Sequence, residues 1–465
     1  MREYRIEITE FEFLSILSLT IDKEINNHAC VVVTGLISDE NASTYKEKLR
    51  RDVWVKISAV GECGQCDDIM NGIVAGYTMD CESHQKTLTL SIMSGTWLMD
   101  CGLHFRTFQN STLTYAQVME FINQGYTDSN YFSIDSIDMP TGGLILQYQE
   151  TDWEFLRRIS SHFGSYVTPS TEYTGAKYYV GKNTRKTVNM PSGTPYTANK
   201  RVGEFMRKSS SGLGSFSEKD YLEYRFRTRD IFDLWDQISL DGYTGFICKI
   251  HSEYTGSELM HTYFLRSKQG MACIPEFNQK HSGCSFEAVI KEVKQDVVRI
   301  DVIDDENEAQ TDTLWFPYST VYSTPDGPGW YCMPEIDDSV RLHIPGERER
   351  EAYVISAVHK GNSPDRQNPD HKSIKTIYGK ELLMTPELIK LTNNAGMSIE
   401  IDDGAGIRII SNKDIQIKAA ANVTINSEDA SLMMSGANTV DMTQGGASIH
   451  LDDDIAFTGA KFRIQ

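Results

Sequence analysis

Pairs of aliphatic residues recur every eight positions near the end of the chain, and this repeat restricts the possible folds more than any other feature. The pairs are Ile399 and Ile401, Ile407 and Ile409, Ile415 and Ile417, and Val423 and Ile425. A second column contains Gly and Asn at three of its four positions, and these residue types suit turns with positive φ. Its members are Gly396, Gly404, Asn412 and Ala420. Because helices would repeat every 3.5 or 3.6 residues, the spacing predicts a strand and a turn in each octad.

The octad pattern continues to the C-terminus after a slip of one residue. The later pairs are Leu432 and Met434, Val440 and Met442, Ile449 and Leu451, Ile455 and Phe457, and Phe462 and Ile464. Two large apolar side chains per octad are too few for one chain to enclose a core, whereas three chains wound together could bury them and pair their backbones. We therefore expect a trimeric intertwined β-helix, with a monomeric β-solenoid or an irregular β-domain as the alternative.

The rest of the chain reads as mainly β with a few inserted helices. Tyr4, Ile6 and Ile8 alternate with charged residues, which is typical of a barrel or sandwich strand. The 465 residues predict two to four domains, and the net charge of -20 argues against nucleic acid as a partner. The sequence contains no apolar run of about 18 residues and no apolar signal core at its start. Its nine sparse cysteines are typical of a reducing compartment.

Three helices and a small barrel are predicted between the N-terminal strands and the repeat. The first covers residues 113–122, where Thr114 can cap and Gln117 can reach back, and the second lies within 147–164, where Thr151 and Glu154 form a capping box. The third covers 228–238, and residues 209–215 read as a flexible surface loop. Short strands at 287–293, 297–302, 339–344 and 352–358 predict an OB-fold, followed by a linker.

The segment 147–164 resembles the most recognisable motif of the VgrG family and of phage tail hub proteins. The matching positions are Gln147, Glu150, Asp152, Trp153, Phe155, Leu156, Arg157 and Gly164. Residues 330–342 look like the OB-fold stretch of that family, with Pro334, Asp338 and Val340 on the pattern and Asp337 where Gly is usual. Residues 379–384 are similar to the start of the family's spike, and the match covers nearly the whole chain in the right order.

The resemblance implies a domain order and a function. We expect a hub with two β-barrels and inserted helices at 1–280, an OB-fold at 281–360, a linker at 361–378 and the spike at 379–465. A homotrimer of this kind would adapt a hexameric tail tube to a three-fold, membrane-puncturing needle. Its partners would be the tube protein, baseplate proteins and a PAAR-like tip protein or effector, and it would contact the target membrane on firing. It would assemble in the cytoplasm and leave the cell on contraction. Type VI secretion, an extracellular injection system, a tailocin and a phage all remain possible.

No catalytic, cofactor or metal site is expected, and the chain is predicted not to be an enzyme. Cys63 and Cys66 have redox or half-zinc spacing but lack a second pair, so we interpret them as part of a surface loop. His450 is expected to face outward at the tip, and the acidic run 452–454 reads as a solvated turn. About 20 residues separate His359 from Gly379, too few for a lysozyme insertion, and no effector domain is expected after Gln465. A receptor- or glycan-binding phage tail fibre is the alternative function, and a cell-wall hydrolase is a third.

Overall fold

A computed structural model describes residues 4–61, 64–82, 85–210, 217–255, 258–271, 273–307, 312–361, 363–461 and 463. The chain divides into two compact units, Met1–Lys360 and Gly361–Gln465. Both units consist mainly of β-strands, and helices are inserted in the first, which confirms the predicted fold class. Among the described residues, no helix is long and apolar enough to cross a membrane.

The first unit begins with six strands and one helix. The strands are β1 (Tyr4–Ile8), β2 (Ser15–Glu24), β3 (Cys30–Ile37), β4 (Trp54–Gly61), β5 (Cys66–Glu82) and β6 (Gln85–Met93), and helix α1 is Asp39–Lys48. They pair in the order β1-β4-β5-β6-β3-β2 around a buried aliphatic core that includes Val31, Ile57 and Leu90. The sequence analysis missed α1, which begins where the Ser38 side chain accepts the N–H of Asn41.

A helical insertion follows a short 3-10 turn at Gly95–Asp100. Its elements are β7 (His104–Phe108), α2 (Tyr115–Gln124), β8 (Asn130–Ser133), β9 (Ile145–Glu150), α3 (Asp152–His162), β10 (Val167–Pro169) and β11 (Lys177–Val180). The first two predicted helices are confirmed as α2 and α3, each with its predicted capping box. Buried side chains of both helices share a core with β11, to which Val118, Phe155 and Tyr178 contribute.

The next elements extend the first sheet. They are β12 (Thr187–Asn189), β13 (Tyr196–Lys200), α4 (Val202–Ser210), a 3-10 turn at Glu218–Tyr221, β14 (Leu222–Thr228), β15 (Gln237–Leu240), β16 (Tyr243–Thr255) and β17 (Glu258–Arg266). Because β16 pairs with β2, one continuous twelve-stranded hub sheet joins the two predicted barrels, and its second half has its own core around Trp235 and Tyr263. Ser209 and Ser210 end α4 instead of beginning a loop, and the rest of the predicted loop lies outside the described residues.

The third predicted helix, at 228–238, is wrong, because that segment runs from the end of β14 into β15 without a helix. Aspartate side chains hold its backbone N–H groups. Asp236 accepts the N–H of Asp233 at 3.0 Å, and Asp233 accepts that of Leu234 at 3.0 Å. Trp235 is fully buried with a φ of 70°, outside the helical region, and its N–H donates to Ile247 across the sheet.

The last part of the first unit is a five-stranded antiparallel sheet. Its strands are β18 (Ser285–Lys294), β19 (Val297–Val302), β20 (Phe316–Pro317), β21 (Ser339–His343) and β22 (Tyr353–Ile355), with 3-10 turns at Gln279–His281 and Glu349–Glu351. They pair in the order β20-β19-β18-β21-β22, and a bridge between Tyr318 and Val354 connects the two ends of that order. This closure fits the predicted OB-fold.

The second unit contains the octad repeat. A 3-10 turn at Pro364–Arg366 precedes β23 (Lys372–Lys375), β24 (Glu381–Met384), β25 (Leu388–Thr392), β26 (Ser398–Asp402) and β27 (Gly406–Ile410), which pair in that order. β28 (Val440–Gln444), β29 (Ala447–Leu451) and β30 (Ile455–Thr458) form a second meander. Phe462 and Ile464 lie outside the described residues.

The stretch between the two meanders differs from the predicted strands. Residues 411–439 form no strand within the chain, although three predicted pairs lie there. The turn column also differs, because Gly396 has a positive φ of 93° whereas Gly404, Asn412 and Ala420 do not, and Gly406 takes that role at 78°. Gly396 and Asn412 are nonetheless neighbours, since the Asn412 amide donates to the carbonyl of Ala395 at 3.0 Å.

Candidate functional site

The signature segment joins strand β9 directly to helix α3. Thr151 is the N-cap, and its side chain accepts the N–H of Glu154 at 3.1 Å while the Glu154 carboxylate accepts the N–H of Thr151 at 3.2 Å. This capping box satisfies two N–H groups that a helix start otherwise leaves unpaired. Gly164 follows the helix with a φ of 74°, a conformation that favours glycine. The sequence therefore fixes both ends of α3.

Arg158 connects α3 to the OB-fold. Its guanidinium donates to both carboxylate oxygens of Glu150 at 2.8 Å and to the carbonyl of Leu146 at 2.7 Å. A further N–H donates to Glu349, in the turn before β22, at 2.6 Å. Arg158, Glu150 and Glu349 are all buried, and Leu144 and Leu146 beside them pack into the OB-fold core.

Arg158 is a buried cation that contacts two buried carboxylates, those of Glu150 and Glu349. Burial alone would lower the pKa of the Arg158 guanidinium, but the carboxylates of Glu349 and Glu150 raise it above its usual value. Removing one partner from such a cluster typically costs about 3–5 kcal/mol, because a charge then stays buried without compensation. The cluster fixes the geometry of the junction, and it contains no group that is set up to react.

A second polar network surrounds Asp152. Arg106 on β7 donates to its carboxylate at 2.6 Å, Gln147 donates at 2.9 Å, and the Tyr126 hydroxyl donates at 2.7 Å. Burial and then the Asp152 charge raise the pKa of Tyr126, so this hydroxyl remains a donor. Arg106 also contacts Glu306 of the OB-fold region at 3.2 Å. Gln147 and Asp152 thus support a second connection between hub and OB-fold.

The apolar signature residues fix α3 to the hub. Trp153 is 1% exposed and its indole N–H donates to the carbonyl of Asn26 at 3.2 Å, while Phe155 and Leu156 are completely buried. Arg157, the signature arginine, is only partly buried, and its Nε has no hydrogen-bond partner among the described residues. Arg158 makes the buried contacts instead.

Sequence reasoning missed Arg158, Arg106, Glu349 and Glu306. A signal for Arg158 was present, because it follows Phe155 by three residues and residues three apart lie on one face of a helix. Arg106, Glu349 and Glu306 belong to distant segments, and only tertiary structure brings them to the signature.

The OB-fold signature residues have structural positions. Val340 is 1% exposed in the OB-fold core, and Pro334 is buried. Asp338 accepts the N–H of Glu335 at 2.9 Å, and its carbonyl accepts the N–H of Ile290 at 3.0 Å. Asp337 has a φ of 70°, which explains why Gly suits this position and why Asp is tolerated there.

The predicted spike-core residues remain accessible in the single chain. Ile399 pairs with Ile409 and Ile401 with Ile407 across β26 and β27, yet these four are 46–73% exposed. The next four are 53–72% exposed and lie in the strand-free stretch. They are Ile415, Ile417, Val423 and Ile425. All eight side chains therefore have apolar surface still to bury.

The chemical candidates do not form a recognisable centre. No group of three or more His, Cys, Asp or Glu side chains that could hold a metal ion is present in the part of the chain that the structure describes. His450 contacts Asp441 and lies 3.4 Å from Asp452, and these carboxylates, Asp441 first, raise its pKa. Cys66 is exposed, and Cys63 lies outside the described residues.

Comparison with known proteins gives a family for the N-terminal part. Residues 27–223 match the phage tail baseplate hub (GPD) family, a span that includes the whole α3 signature. No curated protein matches the chain.

Solved structures share the fold over a longer span. The E. coli c3393 protein, a component of the type VI secretion system, is 11% identical with a TM-score of 0.54, over 76% of this chain and all of its own. A chain of the lidless PdpA–VgrG complex is 9% identical with a TM-score of 0.58, over 88% of this chain and 98% of its own. A chain of the half-lidded Francisella complex is 10% identical with a TM-score of 0.55, over 88% of both.

These matches confirm the resemblance inferred from the sequence. The chain contains a phage tail baseplate hub domain and has a VgrG-like hub and spike fold. The hub domain and the fold together support a structural role as a hub and spike.

Proposed function

We propose that three copies of this chain form the hub and spike of a contractile injection machine, adapting a six-fold tail tube to a three-fold needle that punctures a target membrane. The trimer is inferred from residues 411–439, and the observations are their exposure and their backbone hydrogen bonding within one chain. Residues 412–439 are all exposed, and no backbone–backbone hydrogen bond joins described residues anywhere in the stretch.

Two physical requirements apply to this stretch. Its aliphatic side chains keep about half or more of their surface in water, and burying that remainder is worth on the order of 1 kcal/mol for each. Its N–H and C=O groups need partners as soon as those side chains are buried. Extended strands from two other copies satisfy both needs, because they supply an apolar face and a complete set of backbone partners.

The hub domain supports the remaining assignments. As the hub of a baseplate, the chain would bind the hexameric tail-tube protein and baseplate proteins, and it would carry a PAAR-like tip protein or an effector. It would assemble in the cytoplasm and be delivered outside the cell or into a target cell on contraction. Its work would be mechanical, so we propose that it is not an enzyme.

The mass of the full-length protein, measured by light scattering after gel filtration, tests the trimer. We expect three times the chain mass of 52.5 kDa. A double variant, Ile415→Asp with Ile417→Asp, should abolish the trimer, because it would bury charge in the core of the spike.

The control is Gln416→Asp, which adds one negative charge at the position between them, on the opposite face of the expected strand. It should remain trimeric. A monomeric wild-type protein, or a double variant that still forms trimers, would contradict the proposal.

A further inference from the structure

A cleft of about 270 Å³ lies within the hub sheet, where the two halves of that sheet meet. Its wall combines residues from β2, β5, β16 and β17 with three connecting segments. The polar side chains that matter for a ligand are Lys23, Asn71, Thr171, Asp233, Ser252 and His261. None of them belongs to the α3 signature, and the proposed mechanical function does not use them.

His261 presents an unpaired nitrogen to this cleft. It is 4% exposed, and its Nδ1 lies 2.6 Å from the hydroxyl oxygen of Ser252, its cross-strand neighbour. Its Nε2 is buried and has no hydrogen-bond partner among the described residues. Burial and then the charge of Lys23 lower the pKa of His261 to about 4, so the ring is neutral near pH 7. A buried polar atom without a partner is costly, which points to a missing ligand.

The hydroxyl of Ser252 can donate to Nδ1 or accept from it, because the neutral ring has one N–H and one acceptor nitrogen. We assign the proton of the neutral ring to Nε2, with the Ser252 hydroxyl donating to Nδ1. Hence His261 offers an N–H donor to the cleft.

Lys23 supplies a second donor on the same wall. Its ammonium lies 3.2 Å from the Thr171 hydroxyl and 3.4 Å from the Asp233 carboxylate. An ammonium has three N–H donors, so one is left without a partner among the described residues. Lys23 is 8% exposed, and its charge is the second cause, after burial, of the lowered pKa of His261.

We propose that the cleft binds a small carboxylate, with one oxygen on the Lys23 ammonium and the other on the His261 Nε2–H. A carboxylate can accept one hydrogen bond at each oxygen from the two donors that line the cleft, and a charge-assisted hydrogen bond is about twice as strong as a neutral one. Five acidic and three basic side chains line the cleft, which favours a ligand that carries an ammonium close to its carboxylate over a simple anion. A free amino acid has both groups, whereas the C-terminus of a polypeptide has the carboxylate alone.

Equilibrium dialysis of the full-length protein against four probes tests this site. We expect glycine to bind at one per chain, acetate and N-acetylglycine to bind more weakly, and glycinamide not to bind. N-acetylglycine binding as tightly as glycine would support the same site with a polypeptide C-terminus as its occupant. Absence of binding by all three carboxylates at millimolar concentration, or equal binding of glycinamide, would overturn the proposal.

Variants then locate the site. His261→Phe and Lys23→Met should each weaken glycine binding at least ten-fold, with thermal unfolding used to check that they are folded. The matched control is His251→Phe, which replaces a solvent-accessible histidine on β16 next to Ser252 and should leave binding unchanged. Ser252→Ala is a smaller change that removes the hydrogen bond to Nδ1 of His261, so the ring is no longer held in one tautomer. It should also weaken glycine binding, and it tests the site if the larger substitutions do not fold. Unchanged binding in a folded His261→Phe or Ser252→Ala protein would rule out this site.

Discussion

The buried cluster at the junction of hub and OB-fold gives a sharp stability prediction. Arg158→Met keeps most of the side-chain volume but leaves the carboxylates of Glu150 and Glu349 buried without their cation. We expect the free energy of unfolding to fall by about 3–5 kcal/mol. One kcal/mol shifts the melting temperature by about 2–4 °C in a domain of 150–250 residues and by less in a larger one, so for the unit of residues 1–360 we expect a decrease of up to about 6–10 °C.

The assay is thermal unfolding followed by tryptophan fluorescence, since Trp153 is buried on the same helix. The matched control is Arg157→Met, which removes the neighbouring charge where Nε has no hydrogen-bond partner among the described residues. It should change the unfolding free energy by less than about 1 kcal/mol.

A second substitution separates the loss of charge balance from the loss of packing. Glu349→Gln should destabilise the wild-type protein, because one buried contact to Arg158 is lost. In the Arg158→Met background it should instead recover stability, because it removes one of the two uncompensated carboxylates. Equal losses in Arg158→Met and Arg157→Met, or no recovery in the double variant, would refute the reasoning.

Three further predictions concern the helix cap, the repeat and a buried imidazole. Thr151→Ala should lower the unfolding free energy by about 1 kcal/mol, since the helix loses its N-cap; urea titration measures this. Gly396→Ala should cost about 1–2 kcal/mol, because the residue has a positive φ and the new Cβ would lie 2.7 Å from the Asn412 amide. Gly404→Ala, with its nearest atom at 3.6 Å and no positive φ, is the control, and calorimetry on both variants compares them. His261 has a folded pKa of about 4 against 6.5 unfolded, so the unfolded state binds the extra proton and stability falls as the pH drops below about 6.5. The loss from this group at pH 5 should be about 2 kcal/mol, and it should be absent in His261→Phe when urea titrations at pH 7 and pH 5 are compared.

Local signals predicted the parts of the fold that local physics determines. Helix α3 was predictable because Thr151, Glu154 and Gly164 fix its ends within the segment itself. The strands of the OB-fold were predictable from the alternation of apolar residues along the sequence. In β19 (Val297–Val302) this alternation corresponds to alternating burial. The helix predicted at 228–238 is wrong because Asp233 and Asp236 bind backbone N–H groups and the end of the segment pairs with β16.

Only some of the polar residues at the junction of hub and OB-fold could be predicted from the sequence. Gln147, Glu150 and Asp152 were identified because they lie together in one segment. Their partners Arg106 and Glu349 lie far away in the sequence, and composition cannot select them from a chain with 45 basic and 65 acidic residues. The predicted signature contains Arg157 and not Arg158, because a pattern match does not say which of two adjacent arginines faces the core.

The two units of the chain differ in where their polar groups find partners. In the first unit the buried charges, such as Arg158 with Glu150 and Glu349, are compensated within one chain. In the second unit residues 411–439 have neither a core nor backbone partners of their own among the described residues. The stability of the hub is therefore a property of one chain. The stability of residues 411–439, in contrast, is inseparable from the proposed assembly. This contrast also explains the sequence, because a regular octad is needed where identical strands must match each other, and an irregular sequence is sufficient where one chain folds on itself.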